Sequence, residues 1–557
     1  MDFIYYNANI YTFDPALPKA EAVYVRDGRI LRLGSNKDVQ TLDGAKRAEA
    51  LDLKGATLIP GLTDAHTHLL WWSKTRRQVN LVGVDSLEGM VEKVRERAAV
   101  TPPGQWVTGL GWDKNLWGHD FPGRDSLDRA APDHPVVLHS KDGHLLLVNS
   151  RALALTGIGE DTPDPPGGEI GREAGGRLTG LFKENATALV LPYLEHSSAA
   201  ADQAALAEGL ALARQSGLTG VHTIEERDGL SALQRLHENG KLNFRVTVLP
   251  YSYAARTLIE NGFRQGFGDE MLRLGQVKFF LDGTLGSQTA AMFEPYLEPH
   301  GHGEDEKDGC ELANRGILRM KEEDFLEQAR HCIENGFAIA VHVIGDRAAG
   351  LGLDVIEQVL AETAGGREGL PVLPPFARPR LEHVQLLKAA DLPRLARSGI
   401  IASVQPTHAT TDRDTADRYW GTPRLTETGR GYAYKSLLQS GAHLALGSDA
   451  PIEPITPLGG IYAAVARKRP GEDRPAWLPH ERLTIEEAIR GFTYGPAYAA
   501  GEEKRRGTVA PGFLADFTAL GQDILRIPEG EILATPVRAT IVNGEPVYLD
   551  LYGQTGS

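Results

Sequence analysis

At 557 residues the chain is too long for one simple core; length alone suggests three or four domains, although a barrel can absorb about 250 residues as one unit. Its 41% hydrophobic and 24% charged residues are ordinary for a globular protein, and a formal net charge of −15 argues against a nucleic-acid partner, which would call for a basic stripe. No run of about 18 apolar residues suggests a membrane span.

The N-terminal MDFIYYNANIYTFDP lacks the basic and apolar regions of a signal peptide, so a cytoplasmic location is the expectation. The first sixty residues read as short β segments, with Asp27-Gly28 as a hairpin turn. A strand-like run then ends at Asp64-Ala65-His66-Thr67-His68. Residues of roughly 80–200 break the pattern; they are rich in Pro and Gly and read as a small α/β subdomain inserted over a barrel mouth. Seven further strand-like runs follow: 217–224, 244–250, 277–283, 337–346, 380–385, 400–406 and 443–451. Helical periodicity separates most of them, as in ADQAALAEGLALARQSG and EEDFLEQARHCIENG. The insertion EPHGHGEDEKDGC after the fourth run reads as a mobile loop. The C-terminal GTVAPGFLADFTAL and PVRATIVNGEPVYL return to β texture, with Asn543-Gly544 as a second hairpin turn. Cys310 and Cys332 are too few for a disulfide framework and are not spaced as zinc ligands.

The expected architecture is therefore α/β: a (β/α)8 TIM-like barrel, a composite β-sandwich built from both termini, and an inserted α/β subdomain. The boundaries are 1–60 and 501–557 for the sandwich, 61–80 for the first barrel strand, 81–200 for the insertion and 201–500 for the rest of the barrel. Such barrels carry their active sites at the C-terminal ends of the strands.

The chemistry concentrates at those ends. On a strand, residues two apart share a face, so His66 and His68 aim at one point. Asp64 lies two residues earlier still. His342 in AIAVHVIGD, His383 in LEHVQ and Asp449 in LALGSDAP lie at the ends of the fifth, sixth and eighth runs. A lone histidine there is more often a hydrogen-bonded core residue; four with a carboxylate point to a metal site. Lys278 in VKFFLDG needs a reason to be buried, because a bare ammonium in an apolar strand costs several kcal/mol. It is either a CO₂-derived carbamate bridging two ions or an ordinary lysine paired with Asp282, four residues on.

The segments LIPGLTDAHTHL, KDGHLLLVNSRAL, VKFFLDGTLGSQTA, AVHVIGDRA, LEHVQ, LALGSDAPIEPITPLGGIYAAVAR and GTVAPGFLADF resemble the amidohydrolase superfamily, and within it the YtcJ-like (amidohydrolase 3) family. The resemblance spans nearly the whole chain. It implies two divalent ions per chain, Zn²⁺, held by His66, His68, carboxylated Lys278, His342, His383 and Asp449. His66, His68 and Asp449 would take the more buried ion and His342 and His383 the outer one, with Lys278 between. Metal coordination lowers the pKa of water from about 15.7 toward 7, giving metal-bound hydroxide that attacks a carbonyl, with Asp449 as the catalytic proton shuttle. The implied reaction is cleavage of a non-peptide C–N bond of the amide type in a small-molecule substrate. Ester or lactone hydrolysis, a metal-assisted isomerase or lyase, and a non-catalytic metal-binding barrel are the alternatives. Substrate-binding candidates are Trp112, Asp113 and His144 from the insertion, Asp282 after the fourth run, and Gln405 and His408 after the seventh. His222 on the second run faces the barrel interior without a place in the ligand pattern. Barrel hydrolases of this type often form dimers, so a homodimer is what analogy suggests.

Overall fold

A computed structural model describes residues 2–118, 120–194, 197–297, 313–364, 373–374 and 376–551. The expected mobile loop at 298–310, Cys310 included, lies outside the described residues.

All eight strand-like runs form strands: β1 (Leu62–Thr67), β2 (Leu218–Glu225), β3 (Arg245–Pro250), β4 (Val277–Phe280), β5 (Ile339–Val343), β6 (Arg380–His383), β7 (Ile401–Val404) and β8 (Leu444–Leu446). They pair in chain order in two parallel sheets, one of β1 to β3 with an edge strand at Leu272–Leu274, the other of β4 to β8. Parallel bridges Tyr251↔Lys278 and Thr67↔Ala450 join the sheets at both edges, a scheme consistent with the expected barrel. Their near-continuous burial explains the runs of Val, Ile and Leu, since a parallel sheet is covered on both faces. Among the helices between strands, Ala199–Gln215 and Glu322–Glu334 fall where the periodicity placed them.

A second sheet ties the two ends of the chain together. Thr57–Pro60 pairs antiparallel with Phe517–Leu520, which continues to Val537–Val542 and Glu545–Leu549. Beside it, Asp2–Tyr6 lies between Ala22–Arg26 and Glu49–Asp52. Phe3, Tyr5 and Val25 share a core with Phe517, Ala539 and Ile541. Both predicted hairpin turns adopt left-handed backbone, Asp27-Gly28 and Asn543-Gly544. The tips touch: a Cβ on Gly28 would fall 2.1 Å from Asn543 Oδ1, so glycine is required there. Another six-stranded sheet lies wholly within residues 79–184.

The strands' N-terminal ends carry a buried ionic cluster. Arg245, the first residue of β3, grips Asp516 with two nitrogens, one at 2.9 Å. Glu502 is held by Arg273 at 2.6 Å and by Arg505 and Arg506 at 2.7 Å each. Among the described residues no helix is long and apolar enough to cross a membrane.

Candidate metal centre

At the opposite ends of the strands the histidines converge. His66 lies on β1 and His68 just beyond it, their rings 5.8 Å apart. Their Nε2 atoms stand 3.4 and 3.5 Å from one oxygen of Asp449. Close approach of β8 to β1 makes this possible: a Cβ on Gly447 would sit 2.6 Å from the His66 amide nitrogen. Asp449 itself adopts left-handed backbone, φ +62°, the kind of strain that persists where surrounding structure over-determines a functional residue. Asp64, close to His66 in sequence, does not join the donors; its Oδ1 accepts the amides of His66 and Ser448. Burial brings the His66 pKa down to about 4, keeping the imidazole neutral as a metal ligand requires. Burial would raise the Asp449 carboxyl, yet His66, His68 and His408 hold it well below the usual range.

His383 extends the cluster, its ring 4.8 Å from His66 and 4.5 Å from His342. Donor atoms within 4.8 Å of one another form two groups that share Asp449: His66 with His68, and His383 with His408. His408, expected at the substrate, thus lies among the candidate ligands, its Nε2 3.7 Å from Asp449. His342, expected as a ligand, lines the same cavity, with its ring against His383 and its Nε2 3.1 Å from the Gly283 carbonyl. Lys278 is wholly buried, and its Nζ has no hydrogen-bond partner among the described residues. Burial draws its pKa down to about 8, while Glu382 and Asp449 pull it up. The alternative pairing with Asp282 is not what the fold shows. Asp282 accepts the amides of Ala291, Ile344 and Gly345 and does not line the cavity, which also removes it from the substrate wall. Gln405 is likewise absent from that wall; its Oε1 meets His383 Nδ1 at 2.8 Å.

Above these residues opens a cavity of about 520 Å³ lined by both the parallel strands and the 79–184 segment. That segment contributes Trp112, Asp113 and His144. Trp112 is nearly buried and donates Nε1–H to the Leu138 carbonyl, whereas Asp113 accepts from Asn115. His144 stands 5.1 Å, ring to ring, from His342, its Nδ1 2.7 Å from Glu184. Glu184 also accepts from Thr289 of the strand-four loop at 2.6 Å, so the dyad fastens the segment to the strands.

The profile of the Amidohydrolase family matches residues 49–548. The putative amidohydrolase YtcJ of Bacillus subtilis (strain 168) is 32% identical, covering 98% of this chain and 99% of its own. An N-substituted formamide deformylase of Arthrobacter pascens is 28% identical, covering 100% of this chain and 99% of its own. A metal-dependent hydrolase of Pyrococcus horikoshii OT3 superposes with a TM-score of 0.74 at 25% identity, covering 95% of this chain and 99% of its own. The chain belongs to the amidohydrolase family.

For an amidohydrolase of this build, sequence reading overlooked the residues behind the ligands. Glu382 is wholly buried with one oxygen 2.6 Å from His66 Nδ1 and the other 2.6 Å from Arg380 Nε. Arg380 in turn reaches His222 Nδ1 at 3.1 Å. The signal was present in RLEH, two charges on an apolar strand, the same anomaly that singled out Lys278. Glu184 had no comparable signal; it ends the strand Leu178–Glu184 like any solvated acid.

Proposed function

We propose that this amidohydrolase cleaves a non-peptide C–N bond of the amide type in a small molecule, at a centre of two divalent ions, Zn²⁺ by its donor set. The observation that carries the reading is the donor cluster: four imidazoles, those of His66 and His383 kept neutral by burial, and one ionised carboxylate, gathered at the C-terminal ends of strands read as a (β/α)8 barrel. His66, His68 and Asp449 fit one ion. His383, with His408 or His342, fits the other. Lys278 would hold the ions as a carbamate, because a buried lysine drawn toward neutrality, with the Phe280 ring beside it and no hydrogen-bond partner among the described residues, is the form that adds CO₂. Bound divalent ions acidify water and polarise a carbonyl oxygen.

This chain's own groups do the rest. Asp449 accepts the proton from the attacking water and passes it to the leaving nitrogen. The 79–184 segment, read as a subdomain over the barrel mouth, closes the cavity against bulk water. His144, held by Glu184, orients the substrate beside His342. The formamide deformylase named for its N-substituted formamides supports the amide-type bond.

The test is elemental analysis of protein expressed with zinc and bicarbonate, followed by an amide screen in labelled water. About two ions per chain and labelled oxygen in the acid product support the reading. Absence of bound metal, or product without label, refutes it. Two variant sets refine it. Lys278→Ala is expected to lose metal and activity, partly restored by short carboxylic acids; unchanged metal content would rule out the carbamate. His342→Ala and His408→Ala, compared by metal content, identify which histidine completes the second ion's shell.

A further inference from the structure

We infer that Glu382, anchored by Arg380, is a positioning residue that fixes the ring of His66 so that its Nε2 faces the ion shared with His68 and Asp449. The inference rests on the metal-dependent reading above.

An imidazole can offer Nε2 as a ligand only when its proton resides on Nδ1, and the partner of Nδ1 sets both tautomer and ring angle. Here that partner is a carboxylate oxygen at 2.6 Å, with both side chains no more than 1% exposed. Adjacent residues on a strand face opposite sides, so Glu382 and His383 should not both reach the centre. They do because the chain turns left-handed immediately after Glu382, with φ +71° at His383 and +47° at Val384. Two unfavourable backbone conformations in succession are thus maintained where they deliver a ligand and its neighbour's support to one spot.

Arg380, two residues before Glu382, holds the carboxylate's other oxygen at 2.6 Å. Its NH1 donates to the Ala65 carbonyl at 3.2 Å, so it also braces the strand immediately before His66. His222, without a place among the ligands, backs the same NH1 at 3.1 Å. Four residues from β1, β2 and β6 therefore form one buried row, His222–Arg380–Glu382–His66, ending at the ion site. Stability alone is a weak reason for such a row, since apolar residues of similar volume commonly serve as well or better than a buried ion pair.

The metal-free protein, prepared by chelation, is titrated with Zn²⁺ against a chromophoric chelator. Wild type serves as the control for the reading beneath: if it binds no zinc, the metal-dependent assignment fails rather than this one. Given zinc binding by wild type, Glu382→Gln is expected to weaken the tighter ion about tenfold or more, and Glu382→Ala about a hundredfold. Melting of the metal-free variants should fall as well, because Arg380 loses its buried counter-charge, so zinc affinity and the cobalt spectrum, not stability, carry the test. Loaded with Co²⁺, Glu382→Gln should also show a shifted visible absorption band, as the ring of His66 turns. Glu382→Gln keeps the side chain's shape, so it decides the matter if Glu382→Ala does not fold. Zinc affinity in Glu382→Gln within a few-fold of wild type, with an unshifted cobalt spectrum, would overturn the inference.

Discussion

The two ends of the parallel strands bury charge in opposite ways. At the N-terminal ends every carboxylate of the cluster faces a guanidinium: Asp516 meets Arg245, and Glu502 meets Arg273, Arg505 and Arg506. At the C-terminal ends the groups are left short of partners. Lys278 Nζ has no hydrogen bond among the described residues, three imidazoles crowd the carboxylate of Asp449, and His383, Val384 and Asp449 adopt left-handed backbone. Apart from the exposed Arg505, both regions are largely buried, so burial does not separate them. What separates them is whether the charges neutralise one another. A closed set of ion pairs holds structure together; an open set of donors under strain is poised for something that the chain alone does not supply.

The largest effect should come from breaking the open end. Asp449→Asn removes the carboxylate common to both donor groups and the proposed proton shuttle. On the substrate found by the amide screen, kcat/KM should fall on the order of 10²–10⁴-fold, with loss of bound metal and little change in melting temperature. Activity within a few-fold of wild type would show that the shared carboxylate is not the centre's pivot.

The converse experiment attacks the closed end. Arg245→Leu leaves Asp516 buried without its guanidinium, which should lower the unfolding free energy by about 3 kcal/mol or more, measured by urea titration. Metal content should be unchanged. A variant that kept its stability but lost metal would erase the division between the two ends.

The polar strand-end side chains were legible because such a side chain in an apolar parallel strand demands a partner; His66, His342, His383, Lys278 and Asp449 all stood out that way, and the structure gathers His66, His383 and Asp449 into the donor groups. The joining of the termini was legible from the β texture the two ends share, and Thr57–Pro60 pairs with Phe517–Leu520. Glu382 carried the same signal as the polar strand-end side chains, but its role was hidden, because strict strand alternation assigns it to the face opposite His383, and only the left-handed turn at His383 cancels that rule. His408 was read as a loop residue following β7; the helix it begins, His408–Thr411, carries it back against Asp449. Asp282 and Gln405 were placed at the right strand ends, but sequence cannot say that backbone amides and His383 already occupy them. Contacts spanning the 79–184 segment, such as Glu184 with Thr289, depend on docking and leave no periodic trace.

The smallest effect tests the closed end by pH alone. Its three arginines offset the burial that would otherwise raise the Glu502 carboxyl, and its pKa falls from 4.5 to about 2. A carboxyl more acidic in the folded than in the unfolded chain binds fewer protons when folded, so folding is favoured wherever it is ionised. That contribution is complete above about pH 4.5 and is lost as pH falls toward about 2. Glu502→Gln cannot ionise and forgoes it at every pH. The stability difference between wild type and Glu502→Gln should therefore be on the order of 2–3 kcal/mol at neutral pH and shrink toward acid. Taking the difference cancels the other carboxyls that titrate over the same range. A difference that stayed level down to about pH 2 would mean that the Glu502 charge is not what the arginines hold, and that packing of their side chains maintains that end of the strands instead.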